Sequence, residues 1–169
     1  LAVDPTIWQS AHELAVSARP AVFPNGRILL SVARLARSEG YKGVDTVIVA
    51  LSRLSSEYAD VGYVVVGTGD ERRRLEALSR ELGVAELVHF VGRLNSISDL
   101  VASYQHCDAF VLPSKGEGFG IVFLEAMAFG KAVIGGAHGG TLDVIDDGVT
   151  GFLVSHGNID QLLTALYST

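Results

Sequence analysis

The feature that most restricts what this chain can fold into is a regular alternation, from residue 26 onward, of short unbroken apolar runs with longer segments that carry one apolar stripe. Ile28-Leu29-Leu30-Ser31-Val32 is followed by Val44 to Tyr58, which places Val44, Val47, Ile48, Leu51 and Leu54 on a single helical face. A short apolar run without polar alternation fits a strand covered on both faces, whereas apolar residues spaced three and four apart form one side of an amphipathic helix. The pattern recurs along the chain. Tyr63 to Val66 precedes a helix over Glu71 to Leu82, stopped by Gly83, and Leu87 to Val91 precedes Ile97 to His106. Ala109 to Leu112 precedes Gly120 to Phe129, Ala132 to Ile134 precedes a short helix near Leu142 to Ile145, and Gly151 to Val154 precedes a helix from Ile159. Covered strands separated by helices must run parallel with right-handed crossovers. The predicted fold class is therefore α/β, a doubly wound parallel sheet of about six strands.

Residues 1–26 hold Pro5, Pro20 and Pro24 and lack this alternation. They read as a connector with a short helix from Ile7 to Val16, Trp8 as its packing anchor, and a closing turn at Pro24-Asn25-Gly26. Residues 27–169 form the folded domain. The chain opens on Leu1 and stops in a helical pattern at Thr169, so it is expected to be a piece of a longer protein. Its 169 residues suit one domain, and 49% hydrophobic against 19% charged residues excludes a disordered segment. A net charge of -6, with no basic run longer than Arg72-Arg73-Arg74, disfavours nucleic acid as a partner. The single cysteine, Cys107, makes no internal disulfide and no zinc-type spacing occurs, which fits a reducing, cytoplasmic compartment. Cys107 reads as a small packed residue at a strand entrance. No apolar stretch is long enough to cross a bilayer, and the opening residues do not read as a secretory leader.

Ligands of such sheets lie beyond the carboxyl ends of the strands, where strand order reverses, so the loops that follow strands are the ones to search. The most informative is Pro113-Ser-Lys-Gly-Glu-Gly-Phe-Gly120, which runs into a helix carrying Glu125. Its glycines let backbone amides approach a ligand, and free N–H groups at the helix start favour an anion such as a diphosphate. Glu117 and Glu125 would stand at different levels of one cleft, where carboxylates accept paired hydrogen bonds from vicinal diols. Both acids also have a plainer role, as complements to the helix dipole. Gly67-Thr68-Gly69-Asp70 looks like part of a dinucleotide loop, but Arg72 occupies the third glycine position, so its glycines read as a tight strand exit. His138 could point into the cleft or into solvent, and the other histidines have no neighbours at metal-ligand spacing.

Glu117 and Glu125, separated by seven residues with Gly-Phe-Gly after the first, resemble the E-x7-E signature of retaining glycosyltransferases of the glycosyltransferase 4, or group 1, type. The likeness runs from about Gly26 to the end and includes Ser31 to Leu35 with Tyr41-Lys42-Gly43, Val65 to Asp70, Phe90 to Arg93, Tyr104 to Ser114 and Gly139 to Gly151. It implies the C-terminal, Rossmann-like half of a two-domain GT-B enzyme that transfers a hexose from a nucleotide sugar without a metal or other cofactor. By the resemblance, Arg34 and Lys42 neutralise the diphosphate and Glu117 holds sugar hydroxyls with the Phe119 and Gly120 amides. Glu125 holds the ribose diol, and Val91 to Leu94 line the base, with Arg93 at its edge. Arg34, Lys42 and Glu117 are thus the expected catalytic residues. Arg93, Leu94, Gly118, Phe119, Gly120, Ile121, Val122 and Glu125 form the expected donor-binding surface. The donor would be a UDP-, GDP- or ADP-sugar, and the acceptor would sit on an N-terminal domain outside this chain, which leaves peripheral membrane association open through that domain. Arg34 and Arg93 each have an alternative as ordinary surface cations.

The chain departs from the usual pattern at several positions. Ala33 stands where a glycine commonly precedes the arginine, extra residues separate Arg34 from Lys42, and Leu142-Asp143 replaces Pro-Glu. Two further functions stay open at this level: a sugar-nucleotide epimerase or phosphorylase of the same fold, and a non-catalytic receiver-like signalling module. The latter needs acids at the first strand exits, where this chain has Arg34.

Overall fold

The computed structural model describes residues 3–12, 17–58 and 60–169. Six strands, β1 (Arg27–Val32), β2 (Val61–Val66), β3 (Val88–Gly92), β4 (Ala109–Leu112), β5 (Ala132–Gly136) and β6 (Phe152–Val154), form one sheet in the order β3-β2-β1-β4-β5-β6. All pairings are parallel, with Leu30 opposite Val64 on one side and Phe110 on the other. The helices are α1 (Pro5–His12), α2 (Val44–Leu54), α3 (Arg72–Glu81), α4 (Ile97–His106), α5 (Ile121–Ala128) and α6 (Ile159–Tyr167). The expected doubly wound α/β architecture is present.

Side chains of a strand alternate between the two sheet faces, and each face has its own core. Leu29, Tyr63, Val65 and Val111 pack with Val47 and Leu51 of α2, Leu75 of α3 and Leu162 of α6. Ile28, Leu30, Val64, Phe110 and Leu112 pack on the other side with Tyr104 of α4 and Phe123 and Ala126 of α5. The polar Ser31 in β1 is tolerated because its hydroxyl bonds the Tyr63 hydroxyl at 2.7 Å and donates to the Val111 carbonyl.

Three features differ from the sequence reading. Helix α2 ends at Leu54, where the last residue of the apolar stripe is used up, rather than at Tyr58. The expected turn of helix near Leu142 is a 3-10 helix, Gly140–Asp143, and a second one, Arg37–Lys42, occupies the loop after β1. The connector holds α1 over Pro5–His12, while residues 13–16 of the expected helix lie outside the described residues. Trp8 is not its anchor: Ile7 is buried, whereas Trp8 is 53% exposed and packs only on His12 among the ring contacts described. Cys107 is buried, as a packed residue should be, and burial pushes its thiol up to about 12.

Candidate functional site

Strand order reverses between β1 and β4, so the crevice is bounded by the loop after β1 and the loop after β4. These two loops are fastened to each other. The Lys115 amide donates to the Tyr41 carbonyl at 2.8 Å, and Lys42 Nζ donates to Glu117 Oε1 at 2.8 Å. Both charged side chains are largely shielded, at 15% and 9% exposure. Lys42 also lies over the Tyr41 ring, 5.3 Å from its centre. The pair therefore joins, at the switch point, the cation and the acid that stand 75 residues apart in sequence.

Glycines make this approach feasible. Gly43 ends the 3-10 helix that carries Lys42 with φ 75°, and a Cβ there would lie 2.6 Å from the Pro113 carbonyl oxygen. On the other side, a Cβ on Gly140 would sit 2.0 Å from the Gly118 carbonyl oxygen, in a loop where the Gly140 amide donates to the Glu117 carbonyl at 2.9 Å. Gly67 and Gly69 are similarly pressed against the Ala33 and Leu35 carbonyls, so they shape a strand exit.

Beyond Glu117 the chain enters α5 through Gly120 at φ 63°, with no side chain capping the helix. The first amides of α5, at Ile121 and Val122, thus have no partner within the helix. Gly118 leaves open space on its side, and Phe119 is 64% exposed. Glu125, one turn further on, accepts a hydrogen bond from the Tyr104 hydroxyl at 2.7 Å. Burial pushes its carboxyl above the ordinary value, against the lowering effect of that bond.

Arg34 projects into solvent with 82% exposure and pairs with Glu39 at 2.5 Å. It borders a cavity of about 640 Å³ with Val32, Gly67, Arg93 and Leu94 at the ends of β1, β2 and β3. The expected residues thus fall into three groups. Lys42 and Glu117 are in contact, Glu125 is held from α4, and Arg34, Arg93 and Leu94 line one cavity. Sequence reasoning singled out neither Tyr104 nor Glu39 as partners. Tyr104 sits among the apolar residues of α4 and reads as core, which it also is.

The family model of the glycosyl transferases group 1 matches residues 16–168. The chain belongs to that family. Among curated group 1 relatives, the GDP-mannose-dependent alpha-(1-6)-phosphatidylinositol monomannoside mannosyltransferase of Mycolicibacterium smegmatis is 34% identical over 142 residues, 80% of this chain and 37% of that protein. The D-inositol 3-phosphate glycosyltransferase of Stackebrandtia nassauensis is 32% identical over 161 residues, 90% of this chain and 35% of the relative. The chain thus spans well under half the length of these relatives. A solved structure of Anabaena HepE in complex with UDP and glucose superposes with a TM-score of 0.77 at 26% identity, covering 98% of this chain and 42% of that one. The C-terminal domain of a group 1 protein, LpcC, from Francisella tularensis gives a TM-score of 0.75 at 26% identity over 96% of this chain and 80% of that one. Among the described residues no helix is long and apolar enough to cross a membrane.

Proposed function

We propose that this chain is the nucleotide-sugar-binding half of a retaining, metal-independent hexosyltransferase. Its facing N-terminal domain would hold the acceptor and lie outside residues 1–169. The observation that carries the reading is the Lys42–Glu117 contact at the topological switch point, which sets a cation and a carboxylate side by side between two loops. Family membership supports it, as does the similarity to a structure that holds UDP and glucose.

In this reading Lys42 and Arg34 receive the diphosphate, together with the amides at the start of α5. Glu117 turns to the sugar hydroxyls, Glu125 to the ribose, and the base enters the cavity beside Arg93 and Leu94. The reaction breaks the bond from the anomeric carbon to the diphosphate oxygen and forms one to the acceptor oxygen on the same face of the sugar, with the acceptor's hydroxyl proton passing to the departing diphosphate. Negative charge grows on the departing diphosphate, and fixed cations at that place lower the barrier. The single cysteine agrees with a reducing compartment, and we place the reaction in the cytoplasm.

Calorimetry and thermal shift with UDP, GDP and ADP test the reading on this chain alone. Weak binding of a nucleoside diphosphate is expected, with little or no sugar transfer because half of the cleft is absent. No heat and no stabilisation from any of the three at millimolar concentration would reject the donor site.

A further inference from the structure

Glu125 meets a hydroxyl where a carboxylate could have met a cation. Tyr104 Oη donates to Glu125 Oε2 at 2.7 Å, and among the described residues no lysine or arginine pairs with this acid. The tyrosine is fully buried. Its ring is stacked on Phe129 with centres 5.9 Å apart and 10° between planes, and it lies tilted against Phe110 at the same separation. Phe110 in turn meets Phe123 edge-on at 5.4 Å. The ring therefore cannot turn without opening the core that joins α4, β4 and α5. A phenylalanine would fill the same space, so packing alone accounts for the ring but not for the hydroxyl. A buried hydroxyl needs a partner, and here the partner is the tip of a flexible, partly exposed acid rather than a backbone carbonyl.

We propose that Tyr104 is a positioning residue for nucleotide recognition: its rigid hydroxyl holds one oxygen of Glu125 so that the other is presented in a set direction to the vicinal diol of a nucleoside diphosphate's ribose. The inference rests on the donor-site reading above. An ionised carboxylate has about four acceptor positions, and Tyr104 takes one of them. Fixing the side chain beforehand removes the ordering cost that a free glutamate would meet on binding. The ionisable groups acting on Glu125 are Tyr104 from α4 and Asp4 just ahead of α1. Burial and Asp4 favour the protonated acid, and the Tyr104 hydrogen bond favours the ionised one. Burial first, and Glu125 second, keep Tyr104 itself well above the ordinary phenol range, so it remains a donor at neutral pH.

Tyr104→Phe, Glu125→Ala and the double variant of this chain, each checked for a cooperative melt, are titrated with UDP, GDP, ADP and inorganic pyrophosphate. The Glu125 carboxyl is followed in parallel by NMR against pH. Tyr104→Phe is expected to weaken the nucleoside diphosphate that binds by about tenfold, the scale of one hydrogen bond to a charged group. It should leave pyrophosphate, which has no ribose, unaffected, add nothing to Glu125→Ala, and raise the midpoint of Glu125. Equal losses for pyrophosphate and nucleotide, or losses additive with Glu125→Ala, would overturn the proposal in favour of a packing role. An unmoved Glu125 midpoint overturns it whether or not a nucleotide binds. A raised midpoint, with nucleotide affinity indifferent to Glu125→Ala, removes Glu125 from the ribose, so the donor-site assignment fails rather than the Tyr104 contact.

Discussion

Lys42 and Glu117 neutralise each other in the structure described here, and a diphosphate and a sugar would have to share them out. That arrangement gives the two residues opposite signatures. Glu117→Gln removes the charge that competes for Lys42, so a bare nucleoside diphosphate should bind as tightly as to the wild type or more tightly. The intact nucleotide sugar should lose about 1 to 3 kcal/mol, because charge-assisted bonds to its hydroxyls are gone. Paired titrations with UDP and UDP-glucose, or with the GDP and ADP counterparts, read both effects. Equal loss on both ligands would take Glu117 away from the sugar. On the proposed function Lys42 stands where charge would accumulate on a departing diphosphate, so in a protein that includes the facing domain most of the loss from Lys42→Ala should fall on turnover rather than on donor KM. At about 2 to 4 kcal/mol per well-placed group, the drop is on the order of a hundredfold. Near-normal turnover would put Lys42 outside the site. Arg34 differs: it is mostly solvated and already paired with Glu39.

At the level of elements, the site depends on two loops held at distances that only glycine permits. A methyl group on Gly43 would meet the Pro113 carbonyl oxygen at 2.6 Å, at a φ of 75° that side chains rarely adopt. Gly43→Ala should therefore lower stability by about 1 to 3 kcal/mol and shift the Lys42 turn away from Glu117, so that thermal denaturation and nucleoside diphosphate affinity both fall. A fall in stability with affinity unchanged would show that the turn re-forms around the strain. Helix α6 offers a control remote from these loops. The Asn158 side chain caps it by accepting from the Gln161 amide at 3.0 Å, so Asn158→Ala should cost about 1 kcal/mol without changing nucleotide affinity. Helix α5 contrasts with it, since no side chain caps its start.

Over the whole molecule, Glu125 joins stability to pH. Its carboxyl is raised from the ordinary 4.5 by burial, with Asp4 adding and Tyr104 opposing. A raised acid contributes stability that is fully present below the unfolded value and is lost as pH rises through the folded one. At neutral pH the ionised Glu125 is therefore a net cost to folding. Glu125→Gln keeps an acceptor for Tyr104, and the variant should melt above the wild type at neutral pH. That advantage should shrink as pH falls through the folded value of Glu125 and vanish near 4.5, as a series of melts against pH would record. A constant difference across the series would mean that Glu125 ionisation is not coupled to folding. The alternation of apolar runs and stripes determined the class of fold, the parallel sheet and most element boundaries, because burial on both faces leaves a continuous apolar signature in each strand. The Pro113 to Gly130 stretch likewise pointed to Glu117 and Glu125 through its glycines and its spacing. Only the tertiary structure decided what those acids touch. The Lys42–Glu117 pair spans 75 residues and the Tyr104–Glu125 bond spans 21, and neither follows from local periodicity. Trp8 shows the same limit from the other side: it reads as an anchor by its size, yet Ile7 faces the core, because the direction in which α1 docks is set by its neighbours in space. Contacts between side chains on different elements depend on sheet order and loop approach, which exist only once the chain has closed on itself.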